Sequence, residues 1–175
     1  MGRAAWIAMG VAALAGLGAA VWLARSEEPP TEEQKIRALL DATARAAQER
    51  KADEVVEILS PRFAGGGGEL GGRASRDDVK RLVAFELLRG GWVSAQIVGA
   101  EVDVREERAR AVVDAVLSRA PDAGERLSDL LPGEYSLHRF ELGLEREDGE
   151  WMVVAGSWRP IRLEQALSGP EPPDW

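Results

Sequence analysis

Cysteine is absent from this chain of 175 residues, and histidine and tyrosine occur once each, at His138 and Tyr135. Without cysteine the chain has no disulfide, no thiolate metal site, no cysteine nucleophile and no lipid-modified N-terminal cysteine. A single histidine also excludes the usual zinc ligand sets, and we expect neither a metal nor another cofactor. Acidic residues outnumber basic ones by 30 to 22, and the net charge of −8 argues against binding to nucleic acid.

Charge is also missing from residues 4–24, which read AAWIAMGVAALAGLGAAVWLA. A helix of this length spans ~30 Å, the hydrocarbon thickness of a bilayer. Trp6 and Trp22 lie near its two ends, where indole rings favour the headgroup boundary. We therefore predict a transmembrane anchor at residues 1–25 and a proline-containing linker at 26–30. The alternative is a secretory signal peptide that is removed from the mature chain.

The orientation of this anchor depends on the basic residues at its two ends. Arg3 and the terminal amine favour a cytoplasmic N-terminus, whereas Arg25, Lys35 and Arg37 favour the reverse. Because a two-residue tail before a signal-like helix usually stays inside, and because long domains cross largely regardless of charge, we expect the folded part outside the cytoplasm.

Three helices are predicted after the linker from apolar residues at helical spacing and from capping residues. We expect them from Thr31 to about Arg50, from Asp53 to Leu59 and from Ser75 to Gly90. Pro61 ends the second helix, and the glycine-rich stretch at 65–72 is predicted to be a flexible loop rather than a phosphate-binding loop, since it lacks the lysine.

After Trp92 the apolar period changes from 3.6 to 2, which predicts two antiparallel hairpins with turns at Glu106-Glu107 and Asp148-Gly149. The expected cross-strand pairs are Val104 with Ala109, Asp103 with Arg110, Gly99 with Asp114, Leu144 with Val153, Phe140 with Ser157, and His138 with Arg159. Trp151 and Trp158 are expected on opposite faces of the last strand. No helix separates the strands, so the fold class is α+β. Residues 168–175 read SGPEPPDW and are expected to be a disordered tail.

This order, with KADEVVEIL after the first helix and YSLHRFELGLEREDGEW in the last hairpin, resembles the nuclear transport factor 2-like superfamily, also called SnoaL-like or ketosteroid-isomerase-like. Within it, the resemblance is to uncharacterised bacterial envelope proteins. It implies a domain at residues 31–167 in which three helices pack on a strongly curved antiparallel sheet that forms a cone. It also implies a single-pass protein of the bacterial inner membrane with its domain in the periplasm.

Few residues inside such a cone can carry chemistry. His138 shares a strand face with Phe140, Leu142 and Leu144, and is either a general base, with Arg159 and Asp114 as orienting groups, or a partly solvated structural histidine. Asp114 is a second catalytic candidate, although it faces away from the core with Val112 and Val116. Tyr135 is the third, and packing is its simpler role.

The inward-facing residues are mostly Ala, Val and Leu, which indicates a largely filled cone. The sequence therefore favours a non-catalytic binding or assembly module, held at the membrane by residues 4–24. The alternative is a small-molecule isomerase or dehydratase that takes a small apolar ligand in a pocket near His138. A homodimer through an outer sheet face formed by Ile97, Val112 and Val116 is a further expectation.

Overall fold

The computed structural model describes residues 29–67, 73–88, 94–118 and 135–172. The chain divides into two compact units, Met1–Thr31 and Glu32–Trp175, and every element named below belongs to the second. Within the described ranges no helix is long and apolar enough to cross a membrane. The uncharged run at 4–24 lies outside these ranges, so the anchor and its alternative remain predictions.

Four helices and six strands make up the described part of the second unit. They are α1 (Glu32–Gln48), α2 (Ala52–Glu57), β1 (Leu59–Gly67), β2 (Ala74–Ser75), α3 (Arg76–Leu88), β3 (Ser94–Arg105), β4 (Arg108–Ser118), β5 (Tyr135–Glu147), β6 (Glu150–Pro160) and α4 (Leu163–Leu167). The strands form one curved sheet in the order β2-β1-β6-β5-β4-β3. The α+β class is confirmed, but the sheet is mixed rather than purely antiparallel, because β1 runs parallel to β6.

The main core lies between α1, α2, α3 and one face of the sheet, which we call the helix face. Side chains from all three helices meet the inward residues of the strands, and the most deeply buried include Ile36, Ala111, Leu144 and Val153. Each buried aliphatic side chain of this kind stabilises the fold by roughly 1.5–3 kcal/mol. The opposite surface of the sheet is called the outer face.

Side-chain hydrogen bonds fix the starts of two helices. At α3, Ser75 Oγ accepts from the Asp78 amide at 3.3 Å, while Asp78 Oδ2 accepts from the Ser75 amide at 2.9 Å. This reciprocal capping confirms the helix start predicted at Ser75. At α1, the Glu32 carboxylate accepts from the Trp151 indole at 2.7 Å and from the Arg146 guanidinium, which ties the helix to β5 and β6.

The predicted end of the second helix is wrong, and so is the loop predicted at the first glycines. α2 ends at Glu57, and the chain continues as β1 through Pro61 and into the glycines at 65–67. The reason is tertiary: the Val153 amide donates to Ile58 O at 2.9 Å, and Phe63, buried in the core, packs where the glycines leave room beside β6. Residues 68–72 of the predicted loop lie outside the described ranges.

The register of the first hairpin is confirmed, with Asp103 opposite Arg110 and Gly99 opposite Asp114. In the second hairpin Leu144 faces Val153 as predicted, but an irregularity then adds Val154 to β6 and shifts all later pairs by one residue. Three cross-strand pairs therefore differ from the prediction. Phe140 lies opposite Trp158, His138 lies opposite Pro160, and Arg159 lies opposite Arg139. The same shift places Trp151 and Trp158 on one face rather than on two.

The C-terminal segment, residues 161–172, returns across the outer face. Ala166 of α4 packs with Val116 and Leu137 in a second, smaller core. Pro170 lies so close to Gly99 that a Cβ there would be 2.9 Å from its ring. Residues 168–172 therefore lie on the sheet, which corrects their expected disorder, and residues 173–175 are outside the described ranges.

Candidate functional site

His138 projects from β5 on the helix face, as predicted. Its Nε2 contacts Ser136 Oγ, while its Nδ1 is buried and has no hydrogen-bond partner among the residues that the structure describes. Burial lowers the pKa of His138 below its ordinary value of 6.5, which favours the neutral imidazole at pH 7. The expected neighbour Arg159 is replaced by Pro160, and Asp114 lies on the other face of the sheet, so neither residue orients this ring.

Asp114 belongs to an ion pair on the outer face and not to the interior of the cone. Its carboxylate is fully buried and accepts from Arg139 Nε at 2.7 Å and from a terminal guanidinium nitrogen at 2.8 Å. Arg139 also donates to the backbone oxygens of Gln165 and Gly169. Asp114 beside it holds the pKa of Arg139 above its ordinary value. This geometry gives Asp114 a structural role in attaching the C-terminal segment.

The remaining sequence candidates do not form one site. Tyr135 packs against the small core under α4. Of the three residues expected to form an exposed dimer face, Ile97 packs against the main core on the helix face, and Val116 is covered by the C-terminal segment. Val112 alone lines an open part of the outer face. The expected surface is thus not continuous, because the irregularity in β3 near Val98 turns Ile97 inward.

A groove with a volume of about 760 Å³ lies on the outer face. The strand registers arrange its floor in two rows that cross the sheet. The first row is Arg110, Gly143, Ala155 and Ala64, and the second is Val112, Glu141, Ser157 and Gly66. Ala64, Ala155 and Ser157 are exposed, so the floor is open to solvent. Glu171 and Pro172 of the C-terminal segment lie at one end.

Charged side chains surround this floor of small residues. The lining contains the four arginines Arg73, Arg110, Arg139 and Arg159 and the two glutamates Glu141 and Glu171. Even when the buried Asp114 is counted with its partner, the local charge is positive, against −8 for the whole chain. The predictions made from the sequence did not include this groove. Its one available signal was Gly143, which interrupts an otherwise alternating strand.

Two glycines near the groove have different structural roles, although neither has positive φ. A Cβ at Gly65 would lie 2.5 Å from Gly156 O and would also collide with the Phe63 ring, so the fold requires glycine there. A Cβ at Gly143 would meet only Ala155, at ordinary contact distances beginning at 3.5 Å. The irregularity between β5 and β6 falls between Gly143 and Leu144 and places its extra residue on β6.

A second pocket of about 230 Å³ lies between α1 and β3 and is lined by Arg37, Asp41 and Ile97 among others. Neither it nor the outer-face groove is lined by His138. In the described ranges, no three His, Asp or Glu side chains are grouped closely enough to hold a metal ion.

Comparison with known proteins identifies the fold. No protein-family model matches the chain, and no curated protein matches it. A protein of unknown function from Mycobacterium tuberculosis superposes with a TM-score of 0.59 at 15% identity, over 75% of this chain and 73% of that one. An NTF2-like protein from Novosphingobium aromaticivorans gives 0.56 at 17% identity, over 83% and 88%. One of unknown function from Pseudomonas putida KT2440 gives 0.56 at 15%, over 74% and 87%.

These likenesses agree with the element order and with the three helices on one face of a curved sheet. The described unit has the nuclear transport factor 2-like, cystatin-like fold. At these identities the comparison shows the fold and does not assign an activity.

Proposed function

We propose that this protein is a non-catalytic binding or assembly module of the bacterial cell envelope, held at the inner membrane by residues 4–24 with its domain in the periplasm. One observation supports the binding role most directly. The helix face is occupied by packed aliphatic and aromatic side chains, whereas the outer face carries an open groove of about 760 Å³. A surface that is lined by charged groups and lies on the opposite face of the sheet from the titratable histidine suits binding better than proton transfer.

The residues on the helix face also favour a binding role over catalysis. A general base must be within hydrogen-bond reach of its substrate and is commonly oriented by a further polar group. His138 contacts only the Ser136 hydroxyl in this way, and the buried carboxylate of Asp114 is committed to Arg139 across the sheet. The residues nominated for acid–base chemistry are therefore divided between two surfaces.

A small-molecule isomerase or dehydratase is the second candidate, and one observation favours it. Nδ1 of His138 is buried without a partner, beside the Phe140 ring at 6.3 Å between centroids. A buried polar atom without a hydrogen bond costs free energy, so an apolar ligand with one polar atom would be stabilised there.

The single histidine makes these candidates separable by NMR on the full-length chain in a mild detergent. Its imidazole C–H resonances need no assignment by mutation, and their pH titration should give a pKa below 6.5. We expect a panel of small enones and hydroxyketones to leave these resonances unshifted and to undergo no turnover. Turnover that His138→Ala abolishes and Ser136→Ala retains, with both variants folded, would establish the enzyme instead.

Membrane attachment has its own test. Alkaline phosphatase fused after Trp175 should be active in a bacterial host, and the fusion should remain in the membrane fraction after carbonate extraction. The matched control lacks residues 4–24 and should be inactive and soluble. An inactive full-length fusion would reverse the orientation, and a soluble active product would replace the anchor by a cleaved signal peptide.

A further inference from the structure

We propose that the outer-face groove receives an extended acidic segment of a partner protein, whose carboxylates pair with Arg73 and Arg159. This inference rests on the proposed binding function and names the chemistry of the partner.

Gly143 lies at the centre of the groove floor and presents no side chain to it. Glycine inside a strand costs roughly 0.5–1 kcal/mol relative to alanine. Gly65 is required by packing, but Gly143 has ordinary space for a Cβ and no positive φ. Strand glycines mark bulges and places where a ligand or another backbone approaches closely, and Gly143 adjoins the irregularity between β5 and β6. Gly143 lies in the row between Arg110 and Ala155, directly on the groove floor.

The shape of the groove suits an extended chain better than a small molecule. Its two rows run across four strands, and Ala64, Ala155 and Ser157 on the floor are exposed to solvent. Sites for small molecules are concave and bury most of the ligand surface. A floor that is exposed at these three residues leaves much of a small molecule in water, whereas an extended chain can cross it with its backbone against the small side chains.

The arginines that line the groove favour an acidic occupant. Arg139 is already bonded to Asp114 and to the C-terminal segment, so it stabilises the protein beside the groove and does not pair with the acidic segment. Arg159 lies 3.8 Å from Glu141, and both side chains are about half exposed. An ion pair of this kind is weak and can exchange one carboxylate for another. Guanidinium groups bind carboxylates in a bidentate manner, and clusters of them recognise acidic segments.

The test uses the full-length chain in a nonionic detergent and a fluorescein-labelled decapeptide of alternating Glu and Ala. Its twin, in which Gln replaces Glu, measures the contribution of charge. We expect the Glu peptide to raise fluorescence anisotropy on binding, the Gln peptide to bind at least about tenfold more weakly, and added salt to weaken the Glu peptide.

Variants locate the binding site. Arg159→Gln and Arg73→Gln should each weaken the Glu peptide about fivefold, the scale of one exposed ion pair. Gly143→Leu should abolish binding by filling the floor, and its melting temperature serves as the folding check. The matched control is Arg108→Gln, since Arg108 lies on the same strand and face as Arg110 but outside the groove lining, and it should bind as the parent does.

Four outcomes would overturn the inference: equal binding of the two peptides, no binding of either, binding that survives both Gly143→Leu and Arg159→Gln, or displacement of the peptide by inorganic phosphate or phosphatidylglycerol vesicles at lower concentration than by free Glu peptide. None of these would create turnover at His138, so failure here leaves the proposed function standing. Turnover that depends on His138 would remove the proposed function whatever the peptides do.

Discussion

Replacing Arg139 by Met tests whether the ion pair on the outer face holds the C-terminal segment. The change removes hydrogen bonds of 2.7 and 2.8 Å from a carboxylate that is 0% exposed. Removing one partner of a buried pair costs about 3–5 kcal/mol, because the other charge stays buried without compensation. Arg139 also donates to Gln165 O and Gly169 O, at 3.4 and 3.3 Å, and the same change removes these longer contacts with the C-terminal segment. A loss of this size is a large part of the ~5–15 kcal/mol that stabilises an ordinary domain.

The assay is urea unfolding of the full-length chain in detergent, followed by intrinsic tryptophan fluorescence, to which the buried Trp151 contributes. The double variant Asp114→Leu with Arg139→Met is the matched control, because replacing both partners by apolar residues is often neutral or stabilising. It should recover most of the stability lost by Arg139→Met. The reasoning is refuted if Arg139→Met costs under ~1 kcal/mol, or if the double variant is no more stable than the single one.

Four further substitutions test other parts of the fold. Gly65→Ala should destabilise by about 1–3 kcal/mol, since its Cβ overlaps Phe63 and a backbone oxygen of β6, whereas Gly143→Ala should stabilise by ~0.4–1 kcal/mol, and equal shifts in thermal melting would contradict this distinction. Hydrogen bonds from Lys35, Trp151 and Arg146 lower the pKa of Glu32 from 4.5 to about 2. Its contribution is therefore present above about pH 4.5 and lost as the pH falls toward about 2, and the parent and Glu32→Gln should converge in urea midpoint over that range. Trp151→Ala should cost ~3–5 kcal/mol, and an unchanged melting temperature would contradict its burial.

The parts of the fold that could be predicted from sequence are those governed by local periodicity. The β3–β4 hairpin follows from alternation and a two-residue turn, and its pairs Asp103–Arg110 and Val104–Ala109 are confirmed. The start of α3 follows from Ser75 and Asp78, which satisfy each other. In both cases the information lies within a few residues of the structure that it specifies.

The parts that could not be predicted depend on residues that are distant in sequence. β1 contains Pro61 and a run of glycines, which locally favour a loop, yet it pairs with β6 some 90 residues later because Phe63 and the glycines fit that strand. The extra residue Val154 has no local signature, since Val153 and Val154 are equally suited to a strand. This one residue moved Arg159 away from His138 and next to Arg139, which removed the expected electrostatic control of the histidine.

The candidate site was missed for a related reason: its residues come from four strands and the C-terminal segment. Arg110, Glu141 and Ser157 each look like an ordinary solvent-facing strand residue, and they meet only through two successive strand registers. Arg139 joins the groove to the covered half of the outer face, because it lines the groove and also bonds the backbone of Gln165 and Gly169. The outer face therefore behaves as one structure in which the ion pair with Asp114 fixes the C-terminal segment, and that segment, through Glu171 and Pro172, sets where the groove ends.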